Sequence, residues 1–177
     1  MPGIPSSRNV ACLLLGLAAG VAQAAGTRPM CELMKPQEIK AIAPFTLPFV
    51  KAEGWPLTSS PGGCRYVFKA ADGSDQATVA IGVTRPGSTA DARSAFDQHA
   101  SAHRDLWQKE IESVAGLGDA ASFGGEDRTG LKIIQKSLVI DINLGGQYPD
   151  VSDAQKKAAS LALGKLLLER VSQLKMP

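Results

Sequence analysis

The chain has 177 residues and a formal net charge of +2, with 19 Lys and Arg residues against 17 Asp and Glu residues. Proteins that bind nucleic acids carry clustered basic faces, whereas acidic and basic residues are interspersed along this chain. We therefore expect no nucleic-acid partner. The length fits a short leader followed by one ordinary domain of roughly 150 residues.

The N-terminal segment has the pattern of a secretory signal peptide. Arg8 precedes an apolar run over residues 10–21, and Ala22-Gln23-Ala24 is a small-residue cleavage site. We expect a signal peptide over residues 1–24 and a single domain over residues 25–177, in the periplasm or secreted. The apolar run is shorter than the roughly 20 residues that cross a bilayer, and no Cys follows it directly. The mature chain is thus predicted to be soluble, without a membrane span or a lipid anchor.

The cysteines indicate a disulfide bond. Cys12 lies inside the leader, so only Cys31 and Cys64 reach an oxidising compartment, where a disulfide can form and persist. A bridge between them would close a ring of about 33 residues and stabilise the fold by roughly 3–4 kcal/mol in the chain-entropy description. We predict a structural bridge, because redox-active pairs are usually C-x-x-C.

The first half of the domain is predicted to contain a short helix, a long loop and a hairpin. Helix-favouring residues over 34–42 are followed by Pro44. Residues 44–63 are rich in Pro and Gly, which predicts a long loop fastened by the bridge. Alternating apolar residues over 64–70 and 78–84 flank Asp72-Gly73, a typical hairpin turn.

The second half is predicted to contain two helices with strands between them. Ser88 and Asp91 resemble a capping box for a helix that runs to about Gln108. Its apolar stripe consists of Ala92, Phe96, Ala100 and Trp107. Strands follow over 120–123, 131–135 and 138–144, the last two as a second hairpin. Ser152 and Gln155 could cap a final helix with an inward stripe of Ala159, Leu163, Leu167, Val171 and Leu174.

This element order predicts an α+β fold. Strands that are adjacent in sequence and joined by tight turns form a mainly antiparallel sheet, and we expect the helices to pack on it as a two-layer domain. Two successive units of a helix followed by strands hint at an internal duplication.

The two histidines are the candidate metal ligands. His99 and His103 are four residues apart on a predicted helix, so both rings could share a metal ion, with Asp97 or Asp105 as a third ligand. The metalloprotease pattern requires Glu where Ala100 stands. The alternative is a partly solvated helix edge beside Phe96 and Trp107. We assign no metal and no cofactor.

No catalytic residues can be assigned from motifs. The segment Gly116-Leu117-Gly118-Asp119 lacks the third glycine of a dinucleotide loop and precedes a strand, so it predicts a turn in which Asp119 hydrogen-bonds to local backbone. No G-x-S-x-G nucleophile elbow occurs in the sequence.

Aromatic residues cluster around the Pro-rich segment. Phe45, Phe49, Trp55 and Tyr66 could form the wall of a ligand groove, or they could form a minor core at one end of the sheet. We favour the core, because large apolar side chains are usually buried.

Three short motifs resemble a known group of proteins. Cys31-Glu32-Leu33 before a helix, Gly63-Cys64-Arg65-Tyr66 at the start of a strand, and residues 114–121 resemble small exported bacterial domains of the PsbP-like and kinase-sensor type. These include actinobacterial lipoproteins and the extracellular sensor domain of a mycobacterial serine/threonine kinase. The resemblance implies an antiparallel sheet flanked by helices, and a binding or accessory role.

We therefore expect a soluble periplasmic, non-enzymatic protein that binds a small ligand or an envelope protein. The alternative is a hydrolase or metal-dependent enzyme whose site is assembled only in the fold.

Overall fold

The computed structural model describes residues 30–55, 61–147 and 150–173. The predicted signal peptide lies outside these ranges. The helices are α1 (Met30–Leu33), α2 (Pro36–Ile42), α3 (Thr89–Trp107) and α4 (Asp153–Gln173). The strands are β1 (Phe49–Trp55), β2 (Pro61–Lys69), β3 (Gln76–Thr84), β4 (Glu112–Ser113), β5 (Ala120–Gly124), β6 (Gly130–Gln135) and β7 (Leu138–Gln147). Within the described ranges, no helix is both long and apolar enough to cross a membrane.

The strands form one antiparallel sheet. Its seven strands have the spatial order β1-β2-β3-β7-β6-β5-β4, and every neighbouring pair is antiparallel. The pairing of β3 with β7 joins the strands before α3 to those after it. Both predicted hairpins are confirmed, as β2–β3 and β6–β7, and so is the predicted α+β class.

One face of the sheet carries the main core. Alternate residues of a strand point to opposite faces, and on this face they are fully buried in the central strands. The strand side chains of this core include Tyr66, Phe68, Val79, Ile81, Val83, Leu131, Ile133, Ile140 and Ile142. They pack against α1, α2 and α4. The predicted stripe of α4 is confirmed at Ala159, Leu163, Leu167 and Val171, whereas Leu174 lies outside the described residues.

Helix α3 packs on the opposite face. Its Ala92 and Phe96 form a second cluster with Ile134 and Val139, whereas the neighbouring Ile133 faces the main core. The sheet therefore has helices on both sides, which differs from the expected two layers. The reason is that β6 and β7 carry apolar residues on both of their faces, so side chains are buried on each side of the sheet.

The predicted helix caps are present. The Ser88 hydroxyl accepts a hydrogen bond from the Asp91 N–H at the start of α3. The Ser152 hydroxyl accepts one from the Gln155 N–H, and the Ser152 N–H donates to the Gln155 side chain. Each cap satisfies amide groups that the first helical turn leaves without partners.

The prediction of a loop over residues 44–63 is wrong. Residues 49–55 form β1 and β2 begins at Pro61, while residues 56–60 lie outside the described ranges. Pro48 directly precedes β1 and Pro61 is the first residue of β2, positions at which a strand tolerates proline. Gly54 lies within β1, where a methyl group would approach the Cys31 Sγ at 3.6 Å.

The predicted disulfide bond is present. Cys31 in α1 and Cys64 in β2 are bridged, with their Cα atoms 5.1 Å apart. The bridge fastens the N-terminal helix to the sheet. The Tyr66 hydroxyl adds a second fastening, because it donates a hydrogen bond to the Met34 carbonyl at 2.7 Å.

A partly exposed ion pair between α4 and α2 adds a third fastening. The Arg170 guanidinium of α4 donates to both carboxylate oxygens of Glu38 in α2 and to the Leu33 carbonyl. This hydrogen-bonded ion pair, together with the Lys35 N–H, lowers the pKa of the Glu38 carboxyl from 4.5 to about 2. The side chains are 25% and 32% exposed for Arg170 and Glu38, so solvent weakens the interaction.

We predict that Glu38→Gln lowers the free energy of unfolding by about 1 kcal/mol at pH 7. A carboxyl with a lowered folded-state pKa stabilises the fold above its unfolded pKa, and this contribution is lost as the pH falls from 4.5 toward 2. Urea denaturation should therefore show a difference from wild type that narrows over that range. Glu126→Gln, at an exposed turn, is the control. An equal loss in both variants, or a difference that does not depend on pH, would contradict the role of Arg170.

Candidate binding site

The second face of the sheet, on which α3 lies, is divided into two parts. Helix α3 packs against β6 and β7, where Ala92 and Phe96 cover Ile134 and Val139. Helices α1 and α2 contact β1 and β2 from the other face, through the Cys31 bridge and Met34. The second face therefore has a covered part under α3 and a more open part over β1, β2 and β3.

Under α3 the sheet carries a row of polar side chains. Ser122 on β5 lies directly opposite Lys132 on β6, and Lys132 lies opposite Asp141 on β7. Directly paired residues share a face. The Lys132 ammonium donates to the Asp141 carboxylate, and the side chains are 15% and 38% exposed.

The two predicted candidate histidines lie close to this row. A methyl group built on Gly124 would lie 3.0 Å from the His99 Nε2 and 3.3 Å from the His103 Cδ2, so both imidazoles rest against this glycine. Burial lowers the pKa of His99, and the nearby positive charge of Lys132 lowers it further. His99 is accordingly favoured in its neutral form.

His103 is fully buried, which corrects the expectation of a partly solvated helix edge for this residue. Its Nδ1 lies 2.7 Å from the Lys109 carbonyl oxygen and its Nε2 lies 3.1 Å from the Gly125 carbonyl oxygen. The ring also packs beside Trp107, with the ring centroids 5.1 Å apart. His103 therefore ties the loops that follow α3 and β5 together.

This geometry does not suit a metal site shared by the two histidines. Both nitrogens of His103 face carbonyl oxygens, so neither is directed at an ion bound to His99. The suggested third ligands, Asp97 and Asp105, line a shallow depression on the outer side of α3, and Asp97 pairs with Arg93 there. Within the described ranges, no three His, Cys, Asp or Glu side chains are grouped to hold a metal ion.

Ser122 is a residue of this row that the sequence motifs did not identify. It is fully buried, and its oxygen has no hydrogen-bond partner among the described residues. A nucleophilic serine needs a hydrogen-bonded base. The residue opposite it, Lys132, is instead engaged with Asp141, so this row does not have the arrangement of an activated nucleophile.

We call the part of the second face over β1, β2 and β3 the open half-face. Four of its side chains are charged and exposed, and four residues on β3 are small and partly exposed. By strand register it consists of Lys51, Glu53, Arg65, Val67, Lys69, Thr78, Ala80, Gly82, Thr84 and the neighbouring Asn143 of β7. Val67 is buried among these neighbours, at 7% exposure. The small residues along β3 make a low floor between the charged side chains and α3.

The aromatic residues around the Pro-rich segment pack as a core, which is the favoured of the two alternatives. Phe45 and Phe49 pack edge to face on Phe68, with ring centroids 5.5 Å and 5.8 Å away. Tyr66 is fully buried. Phe45 and Tyr66 belong to the main core and the partly buried Phe49 packs against it, rather than forming the expected minor core at one end of the sheet. The Trp55 side chain lies outside what the structure describes.

The predicted glycine turn before β5 is confirmed, but the role of Asp119 differs. Gly116 and Gly118 have positive φ angles of 71° and 64°, which glycine adopts without strain. The Asp119 carboxylate accepts a hydrogen bond from the Lys136 N–H at 2.5 Å, in the turn between β6 and β7. It therefore braces a distant hairpin rather than its own loop.

One signal in the sequence could have located the polar row. Only Lys136 and Ser137 separate β6 from β7, with Gln135 paired to Leu138. A two-residue turn fixes the hairpin register. That register places Lys132 opposite Asp141, although it cannot reveal that α3 covers them.

Comparison with protein-family models, with curated proteins and with solved structures finds no match to this chain.

We predict that Ser122→Ala leaves the melting temperature unchanged or raises it, because the change removes a buried hydroxyl that has no protein partner. The matched control is Ser160→Ala, since the buried Ser160 hydroxyl donates to the Thr129 carbonyl at 3.4 Å. The control should lose about 1 kcal/mol. If thermal denaturation shows that Ser122→Ala loses as much as Ser160→Ala, the Ser122 hydroxyl has a partner and this assignment is wrong.

Proposed function

We propose that this protein is an exported, non-enzymatic binding or accessory protein of the bacterial envelope. Its ligand is an acidic segment of another envelope protein, held on the open half-face. The observation that carries the proposal is the asymmetry of the sheet. Among the described residues, α1, α2 and α4 lie on one face, whereas the other face has α3 over β5, β6 and β7.

The shape of the open half-face favours a protein segment over an enclosed small molecule. Small-molecule sites are concave and surround most of their ligand. The floor here consists of Thr78, Ala80, Gly82 and Thr84 along one strand, all partly exposed. A low, extended strip of small side chains suits an extended chain that lies along it.

The charges of the open half-face favour an acidic segment. Lys51, Arg65 and Lys69 supply three positive charges against the single carboxylate of Glu53. Lys51 contacts Glu53 at 2.6 Å, and Arg65 lies opposite Glu53 and helps to lower the pKa of its carboxyl. The three cations therefore outnumber the carboxylate by two charges. Complementary charge of this kind steers encounter and selects the partner, although it adds modestly to affinity.

Export is supported by the leader pattern and by the bridge. A disulfide bond persists in the periplasm and outside the cell, where the pair Cys31 and Cys64 is stable. The resemblance of the cysteine and glycine motifs to exported PsbP-like and kinase-sensor domains supports the same location and a binding role.

The test combines localisation with a blocked surface. Full-length protein expressed in a bacterial host should be recovered from the periplasmic fraction with a mass that corresponds to cleavage after Ala24 and one disulfide bond.

We predict that Ala80→Glu, which places a bulky negative charge on the floor, reduces retention of acidic envelope proteins at least about tenfold. Retention is measured by quantitative mass spectrometry of proteins cross-linked in the periplasm.

The control is Lys165→Glu, which introduces the same carboxylate at an exposed position of α4 and lowers the net charge by two units, against one unit for Ala80→Glu. It should retain the same proteins as wild type, and both variants should have wild-type melting temperatures. Equal retention by Ala80→Glu and Lys165→Glu would contradict the open half-face as the binding surface. An uncleaved leader or two free thiols would contradict export.

A further inference from the structure

The outer strand β1 has a sequence that complements itself. It lies at one end of the seven-stranded order, so one of its two edges is unpaired within the described part of the sheet. Residues 50–54 are all exposed, and Val50, at 54%, is one of two exposed large hydrophobic side chains in the described part of the chain. An exposed edge of this kind is a template for another strand.

The strand is regular at the centre of the stretch where a second strand would pair, and only Val50, at the end of that stretch, is bulged. The register against β2 shifts between Phe49 and Lys51, which places a bulge at Val50 and leaves Lys51–Trp55 in continuous pairing with β2. The bulge therefore sits at the start of the strand. The central residue of the exposed stretch is Ala52, with Lys51 and Glu53 on either side of it.

We propose that β1 pairs antiparallel with β1 of a second copy of this chain, centred on Ala52. In that register Lys51 of each copy lies opposite Glu53 of the other, which forms two ion pairs across the two-fold axis. Val50 lies opposite Gly54, which has no side chain to obstruct it. Centring the pair on Lys51 or on Glu53 would instead place like charges opposite each other.

The charged side chains are available for this exchange. Lys51 and Glu53 contact each other at 2.6 Å along their own strand, and they are 55% and 48% exposed. In the dimer Lys51 would pair with Glu53 of the second copy in place of the Glu53 on its own strand, and Glu53 would pair with Lys51 of the second copy. The occupant is thus identified by charge complementarity and by the unpaired edge.

The dimer has a defined geometry. Antiparallel edge pairing places the two-fold axis perpendicular to the sheet, so the open half-faces of both copies lie on the same side. The result is one continuous sheet with an α3 helix toward each end of its second face. This inference rests on the unpaired edge of β1 and does not depend on the proposed function, although both use the charges of Lys51 and Glu53.

The test is a charge exchange measured by sedimentation velocity on the mature, oxidised protein. A five-residue pairing is smaller than a standard interface, so we expect a dimer with a dissociation constant in the range of about 10 μM to 1 mM. Lys51→Glu and Glu53→Lys should each weaken self-association at least about tenfold. An equimolar mixture of the two variants should restore it, because each Glu then faces a Lys of the other chain.

Controls distinguish weakened self-association from unfolding of the variants and from binding of another peptide at β1. Lys165→Glu, on α4, should associate as wild type does, and circular dichroism should show that every variant is folded. The proposal is overturned if wild type remains monomeric to about 1 mM, or if the mixture does not associate better than the separate variants. It is also overturned if a co-purified peptide occupies β1 in place of the second copy.

Discussion

The structure depends on burying one face of the antiparallel sheet under α1, α2 and α4. The side chains on this face are fully buried in the central strands, and each large one contributes on the order of 1.5–3 kcal/mol when it is removed from water. The pairing of β3 with β7 makes this face continuous across the two halves of the chain. The bridge between Cys31 and Cys64, with the Arg170 ion pair, holds the N-terminal helices against it.

The second face follows from the same strands but is used differently. On β6 and β7 the alternate positions include Ile134 and Val139, which require cover, and α3 provides it. On β3 the equivalent positions are Thr78, Ala80, Gly82 and Thr84, which have little apolar surface to bury. The sheet can therefore leave this part open without a large hydrophobic penalty, because small and polar side chains are tolerated in water. The open half-face is thus a consequence of composition along a single strand.

Much of the fold could be predicted because alternation is a local signal. Val79, Ile81 and Val83 predict a strand with one buried side, and the stripe through Leu163 and Leu167 predicts the last helix. Strand β1 could not be predicted in the same way. Its Pro- and Gly-rich surroundings indicate a loop, and the strand forms because β2 supplies pairing partners along its length except at the bulged Val50. Pairing of this kind is a tertiary effect that local propensity does not contain.

The candidate sites could be predicted only in part, since they depend on contacts between distant residues. The spacing of His99 and His103 indicates that they share a face of α3, but the carbonyl groups that bind His103 come from Lys109 and Gly125. No local pattern reports those partners. The unpartnered Ser122 likewise depends on which helix covers its strand. Sequence patterns therefore identify the faces, and the packing of α3 decides which polar groups are buried.

The most direct measurement of the central claim is the accessibility of the open half-face. A single thiol introduced as Ala80→Cys, with the native bridge intact, should react with a maleimide within about tenfold of the rate of Lys165→Cys on the outside of α4. A thiol introduced as Val139→Cys, under α3, should react far more slowly. Protection of Ala80→Cys equal to that of Val139→Cys would show that this part of the sheet is covered, and would contradict the account.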